Sequence, residues 1–187
     1  MTDPTTVARP EDLIAFWFAE SSQARWFDST VAFDQTLRER FLATYRAAAD
    51  GQLAEWEQTP AGALALAIAL DQFPLNMFRG KPESFATEAA ARAVAERAIA
   101  REFDRELKPM ERLFLYLPFM HSENLADQDR SVQWFDRLGL DDSARFARHH
   151  RDLIVRFGRF PHRNAILGRD NTAEEIAYLA SPEAFHG

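Results

Sequence analysis

The sequence predicts an all-α fold, and three observations carry that prediction. Apolar residues recur at three- and four-residue spacing, as in Phe33, Leu37, Phe41 and Tyr45. Glycines and prolines fall between such runs rather than inside them, at Asp50-Gly51, Thr59-Pro60, Gly139 and Gly158. No stretch of useful length alternates with period two, so strands are absent or incidental. A chain of 187 residues with 47% hydrophobic content, sixteen Phe and four Trp has enough apolar surface for one core. One domain spanning 1–187, an antiparallel array of about eight helices, is the expected architecture.

The elements follow in order. Pro10 opens a short helix over Glu11 to Glu20 that carries Ile14, Phe16, Trp17 and Phe18. A longer helix follows Asp28, and Asp50-Gly51 stops it with a left-handed glycine. Thr59 and Pro60 read as N-cap and first residue of a very apolar helix through Phe73, ended by Pro74. Ser84 to Phe103, rich in alanine, has the strongest intrinsic helix preference. Pro109 starts another helix that Pro118 bends or breaks. Glu123 to Leu138 stops at Gly139, and Asp142 to Phe157 stops at Gly158. Thr172 and Glu175 make the capping box of a last helix ending near Leu179. Trp17, Trp26 and Trp56 are expected in the core.

Composition excludes several function classes. Without cysteine there is no disulfide framework, thiolate nucleophile or thiolate-bound zinc. The most apolar run, Ala61 to Leu70, is half the roughly 20 residues of a membrane span. The opening MTDPTTVARPEDL has no basic-then-apolar leader, which together with the cysteine count leads us to expect a cytoplasmic protein. A net charge of −7 argues against extended nucleic-acid binding.

That overall charge hides a local reversal. RFARHHRDLIVRFGRFPHRNAILGR, residues 145–169, holds seven arginines and three histidines against one acid, Asp152, a formal charge of about +6. Either the chain's own carboxylates or a bound anion must stabilise it.

Four polar features stand where apolar residues are expected. His150 lies on a stripe with Phe146, Ile154 and Phe157, flanked by Arg145, His149, Asp152 and Arg156; it is either a hydrogen-bonded core residue or a pocket-facing imidazole. Asp71 closes the apolar ALALAIAL run and needs a cation, with Arg79 or the 156–163 cluster as partner. His121-Ser122-Glu123, with Asp127 one turn on and Gln128 beside it, reads either as acids favoured by a helix dipole or as a His/carboxylate set for acid–base or metal chemistry. Its spacing matches no metal signature, and Ser122 lacks a nucleophile-elbow context. Gly158-Arg159-Phe160-Pro161-His162-Arg163-Asn164 offers amides and guanidiniums to a phosphate or carboxylate, or pairs with Asp71, Glu123 or Asp127. An internal echo links Phe73-Pro74-Leu75-Asn76 with Arg79-Gly80 to Phe160-Pro161 and Asn164 with Gly168-Arg169, as two independent helix stops or as a duplicated hairpin.

The strings LDQFPLNMFRG (70–80), ERLFLYLPFMHSENLADQ (111–128) and HRDLIVRFGRFPHRNAILGR (150–169), with FWF, RWF and NTAEEIAYL, resemble the bacterial domain-of-unknown-function family numbered 924 over nearly the whole chain. The resemblance implies an all-helical fold similar to tetratricopeptide-like arrays and carries no activity with it.

The residues therefore have to supply the functional expectation. It is a small anionic ligand, phosphate- or carboxylate-bearing, in one pocket where Arg79, Arg156, Arg159 and Arg163 hold charge. Asn76 and Asn164 orient the turns, His121, His150 and His162 supply donors, and Asp71, Glu123, Asp127 and Gln128 position these groups. A hydrolase drawing on His121, Glu123 and His150, with or without a divalent metal, is the first alternative. A helical-repeat module for a protein or peptide partner is the second. No metal ligand set or cofactor is assigned.

Overall fold

The computed structural model describes residues 6–185. The first five residues of the opening segment lie outside the described residues. All regular structure among the described residues is helical, in ten α-helices and four 3-10 turns. The α-helices are α1 (Pro10–Trp17), α2 (Glu20–Gln23), α3 (Val31–Ala49), α4 (Pro60–Met77), α5 (Glu88–Ala100), α6 (Pro109–Met120), α7 (Leu125–Leu138), α8 (Asp141–Phe157), α9 (Asn164–Leu167) and α10 (Ala173–Leu179). The chain divides into two compact units, one comprising residues up to Arg79 and Glu83–Pro118, the other Gly80–Pro82 and the residues from Phe119 onward.

In the first unit α4 is the central element, in contact with α1, α3, α5 and the 3-10 turn Ala54–Gln58. Almost every residue from Gly62 to Met77 is buried, which explains why its sequence is apolar all round rather than along one stripe. Thr59 caps it, its Oγ1 accepting from the Gly62 amide, with Pro60 in the first turn as expected. Gly62 is required by close approach: a Cβ there would lie 2.1 Å from the Trp56 carbonyl oxygen. Trp17 is fully buried against Phe73 (5.7 Å) and Phe114 (5.5 Å), while the Trp26 indole donates to the Trp17 carbonyl at 3.0 Å. Trp17, Trp26 and Trp56 all lie in the core.

Pro74 does not end this helix, contrary to expectation; α4 continues through Met77. Proline has no N–H, so the carbonyl four residues back loses its helical donor. That carbonyl belongs to Leu70, and the Thr87 hydroxyl donates to it at 2.6 Å. A side chain from just before α5 thus replaces the missing backbone bond, and the helix survives its proline. Two other boundaries shift. The first helix is split into α1 and the single turn α2, and the Ala-rich helix narrows to Glu88–Ala100, preceded by a 3-10 turn over Pro82–Phe85. Pro118 is likewise inside α6, which runs on to Met120.

In the second unit α7 and α8 pack together, joined by Gly139 in the left-handed conformation (φ 74°) and Leu140. Such a short link turns the chain back on itself. The inward residues of α8 are Ala144, Ala147, His150, Leu153 and Ile154. Phe146, placed on the inward stripe from sequence, is instead 48% exposed. The buried face swings along the helix, from two alanines in its first half to Leu153 and Ile154 in its second, which pack with Phe160 and Tyr178. Gly158 stops α8 with φ 70°. The turn Pro161–Arg163 and the single turn α9 follow, neither of them counted among the eight expected helices. Thr172 and Glu175 form the complete reciprocal capping box of α10. No helix among the described residues is long and apolar enough to cross a membrane.

Candidate functional site

The arginine-rich segment is met in space by acids that flank it in sequence. Arg145 pairs with Asp142 at 3.0 Å, Arg151 with Asp129 at 2.6 Å, Arg156 with Glu174 at 2.8 Å, and Arg148 with Asp136. Arg159 binds Glu175 through Nε and Nη2 at 2.7 and 2.8 Å, and Arg169 grips Glu123 through Nη1 and Nη2 at 2.7 and 2.9 Å. Arg163 is 5% exposed, its guanidinium 4.6 Å above the Phe160 ring. Carboxylates on and around α7, α8 and α10 therefore supply most of the compensation that the local charge requires.

The two inner pairs belong to one network around Phe160. Glu123 Oε1 accepts from the Phe160 amide at 2.8 Å, and Arg169 Nη2 donates to the Phe160 carbonyl at 3.2 Å. Arg169 Nε donates to Asn164 Oδ1 at 2.8 Å, and the Asn164 amide donates to Asn171 Oδ1 at 2.7 Å. Glu175 completes the network through its cap with Thr172, whose amide donates to Oε2 at 2.7 Å. Half-burial works to raise the Glu123 carboxyl, but the Arg169 fork, the Phe160 amide and the nearby charges of Arg169 and Arg163 outweigh it and hold the group below its ordinary range. Glu175 is held lower still, at about 2, first by the Arg159 hydrogen bonds. Both acids are ionised at neutral pH and act as fixed acceptors.

The other residues of the His/carboxylate set are also tied to the backbone or to neighbours. Asn124, not Ser122 or Glu123, caps α7, accepting from the amides of Ala126 and Asp127, so Glu123 stands outside the first helical turn. Asp127 accepts from Ser122 Oγ at 2.7 Å and from Arg130 at 2.6 Å. Gln128 is fully buried, and its Nε2 donates to the carbonyls of Met120 and Ser122 at 2.7 and 2.6 Å, fixing the turn before α7. These bonds leave Glu123 and Asp127 as positioning groups; general-base work by either requires an ion pair to break first.

Three histidines gather in the same unit, two of them against the Phe160 ring. His149 and His150 at the middle of α8, and His162 in the turn after it, surround the Phe185 ring with centroids at 5.9, 4.8 and 5.0 Å. Phe160 lies 5.5 Å from His150 and 5.6 Å from His162. His150 contacts the Phe146 carbonyl through Nδ1 at 2.9 Å, which makes Nδ1 the protonated nitrogen and leaves the lone pair on Nε2. Burial is the main reason its pKa falls to about 3; the Phe146 carbonyl opposes this, while the charges of His121, His149 and His162 add to it. The ring is neutral throughout the physiological range.

Three of the expected residues lie in the first unit. Asp71, 1% exposed, accepts from Gln72 Nε2 at 2.6 Å. Arg79, named as its partner, directs its fork at Asp34 instead, Nε to Oδ2 at 2.8 Å, and donates to Asn76 Oδ1 at 3.1 Å. Asn76 in turn donates to the Gln72 carbonyl inside α4 at 2.8 Å. A hollow of about 250 Å³ in this unit, lined by residues including Ala48, Leu53, Leu66, Ala93, Glu57 and Arg97, contains none of the candidate site residues named from sequence. Its lining holds the Arg97–Glu57 fork at 2.6 and 2.7 Å.

Sequence reasoning missed Arg169 and Asn171 as site residues and read Glu175 only as a cap. The signal for Arg169 was its place beside Gly168, the same Gly/Arg turn noted at Arg79-Gly80. No group of three His, Asp or Glu side chains among the described residues is arranged to hold a metal ion.

An all-helical protein whose charged residues close on one another in this way defines a structural class rather than a reaction. Residues 13–183 match the family described as bacterial protein of unknown function (DUF924), and the chain belongs to that family. It is similar to a solved structure of a protein of unknown function from Agrobacterium tumefaciens, with 42% identity over 91% of this chain and 96% of that one and a TM-score of 0.88. Among curated proteins nothing matches.

Proposed function

We propose that the second unit binds a small phosphate- or carboxylate-bearing molecule beside the Phe160 turn, with Arg159 as the principal contact. One observation supports this reading above the others. Arg159 is locked by Glu175 and by the Asp170 carbonyl through Nε and Nη2, its side chain is 28% exposed, and no acceptor among the described residues takes its Nη1. A guanidinium held in one orientation with donors to spare loses little freedom on meeting an anion. Arg163 and His162 follow it on the same turn and add positive charge or donors.

The hydrolytic alternative asks His150 to act as base. An imidazole whose pKa sits at about 3 accepts a hydrogen bond well but takes a proton poorly at neutral pH. This weighs against His150 as the general base of a hydrolase.

The test titrates inorganic phosphate and acetate into wild-type protein and Arg159→Lys, which keeps the charge facing Glu175 but removes the planar fork. A thermal shift with phosphate in wild type, reduced several-fold in R159K, is the expected result. Equal shifts in the two proteins, or none in wild type at millimolar phosphate, overturn the reading.

A further inference from the structure

The hollow in the first unit is large for an apolar space in a folded chain. Interiors pack with few voids larger than a water molecule, and an engineered apolar cavity of about 150 Å³ already admits benzene. This one measures about 250 Å³. α3 and α5 both pack on α4, and the hollow is lined by residues of all three helices and of the turn Ala54–Gln58. Leu66 and Leu70 of α4, with Leu53 and Val94, give it a buried aliphatic floor. Apart from Val94 and Arg97, the side chains that α3 and α5 present to it end at Cβ, so neither helix fills the space.

The polar side of the hollow has donors to spare. Among the described residues the charged members of its lining are Glu57 and Arg97. The two Glu57 carboxylate oxygens accept from Arg97 Nε and Nη2, and the Glu57 carbonyl accepts from Arg101 Nη1 at 2.6 Å. Both carboxylate oxygens are thus engaged, while Arg97 Nη1 meets no acceptor among the described residues. Glu96, next to Arg97 on α5, acts on it through charge alone, and Arg101 brings a second guanidinium to the same place. The Arg97 side chain is 55% exposed, so a molecule from solvent can reach it.

We propose that this hollow binds a short-chain aliphatic carboxylate, its chain lying over Leu66 and Leu70 and its head group on Arg97. The chain leaves water for a floor of aliphatic side chains, which drives its entry. The head group takes the spare N–H of a guanidinium that Glu57 already orients, a charge-assisted bond made at small cost in side-chain freedom. A neutral head group makes a weaker bond there, and a carboxylate without a chain gains nothing from the floor. The site lies in the first unit and does not involve Arg159, so it stands or falls separately from the anion contact proposed for the second.

The probes are hexanoate, 1-hexanol and acetate, titrated into full-length wild type, Arg97→Gln, Ala93→Leu and Arg159→Lys. Calorimetry gives the affinities, and the methyl resonances of Leu66, Leu70 and Ala93 report where each probe sits. Hexanoate should move these methyls in wild type and bind about tenfold or more tighter than hexanol, the margin of a hydrogen bond between charged groups. Acetate should leave them in place. R97Q should reduce hexanoate to the affinity of hexanol without changing hexanol itself, and A93L, which puts a larger side chain into the space, should weaken both. R159K should bind hexanoate as wild type does. Equal affinities of hexanoate and hexanol in wild type overturn the proposal, as does hexanoate binding that A93L leaves intact or R159K abolishes. So does a lack of methyl shifts at millimolar hexanoate. Should R97Q fail to fold, the comparison of hexanoate with hexanol in wild type decides.

Discussion

Replacing Arg169 by alanine tests whether the inner charge network holds the second unit together. The substitution removes two bonds to Glu123, one to Asn164 Oδ1 and one to the Phe160 carbonyl. Breaking a buried ion pair from one side costs about 3–5 kcal/mol, and an exposed pair contributes at most about 1 kcal/mol. The side chains of Arg169 and Glu123 are 24% and 27% exposed, so the pair lies between these limits. A loss of about 2–3 kcal/mol follows, or about 5–10 °C in melting temperature for a chain of this size. Urea and thermal unfolding followed by circular dichroism measure it. The pH dependence supplies a second check. In wild type the Glu123 carboxyl is depressed, so its contribution is present above the unfolded pKa and lost as pH falls through the folded value. Without Arg169, burial pushes the carboxyl up against weaker opposition, and protonation relieves the variant. The stability gap between R169A and wild type should therefore narrow from pH 7 to pH 4. A change below about 0.5 kcal/mol at pH 7, the range of ordinary surface substitutions, refutes the structural role of the pair.

Two further outcomes follow from named contacts. Thr87→Val leaves the Leu70 carbonyl without its donor and should cost about 1–3 kcal/mol; in a Pro74→Ala background the restored helical N–H reclaims that carbonyl, so a double-mutant cycle in urea should show the Thr87 effect shrinking by most of its size. Glu175, held at about 2 by Arg159, contributes stability that is complete above its unfolded value of about 4.3 and is lost as pH falls toward 2. Glu175→Gln should flatten that part of the melting-temperature profile, measured between pH 2 and pH 5, while lowering the plateau at pH 7.

The helical class and most boundaries were legible because they depend on local chemistry. Thr59-Pro60, Gly139, Gly158 and the Thr172–Glu175 box each act within one turn of chain, and all four appear where local rules place them. Pro74 was misread because its rescue comes from Thr87, thirteen residues away and across an intervening turn; no local rule connects them. Phe146 was misplaced because a fixed 100° period assumes one partner along the whole helix, whereas the buried face of α8 rotates along its length. The site shows the same division. The sign reversal over 145–169 was visible in composition, but which carboxylate each guanidinium finds depends on α7, α8 and α10 coming together. Arg79 illustrates the limit: three residues from Asn76 it meets that side chain, yet its carboxylate is Asp34, forty-five residues earlier.

The internal echo gains physical content from these contacts. At Arg79 a guanidinium beside a left-handed glycine, Gly80 (φ 75°), takes the Oδ1 of Asn76 and a carboxylate from an earlier segment, Asp34. At Arg169 a guanidinium beside Gly168 (φ 65°) takes the Oδ1 of Asn164 and the carboxylate of Glu123. Each arrangement satisfies a buried asparagine carbonyl and a carboxyl group with one planar fork, for which lysine, a point charge with rotating donors, is no substitute. The surrounding elements differ, since Asn76 is inside α4 whereas Asn164 begins α9, and the order of Gly and Arg is reversed. The likeness lies in what each guanidinium binds, a side-chain asparagine oxygen together with the carboxylate of an earlier segment. Most arginines of the 145–169 segment pair internally in this way, and Arg159, whose Nη1 meets no acceptor among the described residues, is the one on which the proposed anion contact rests.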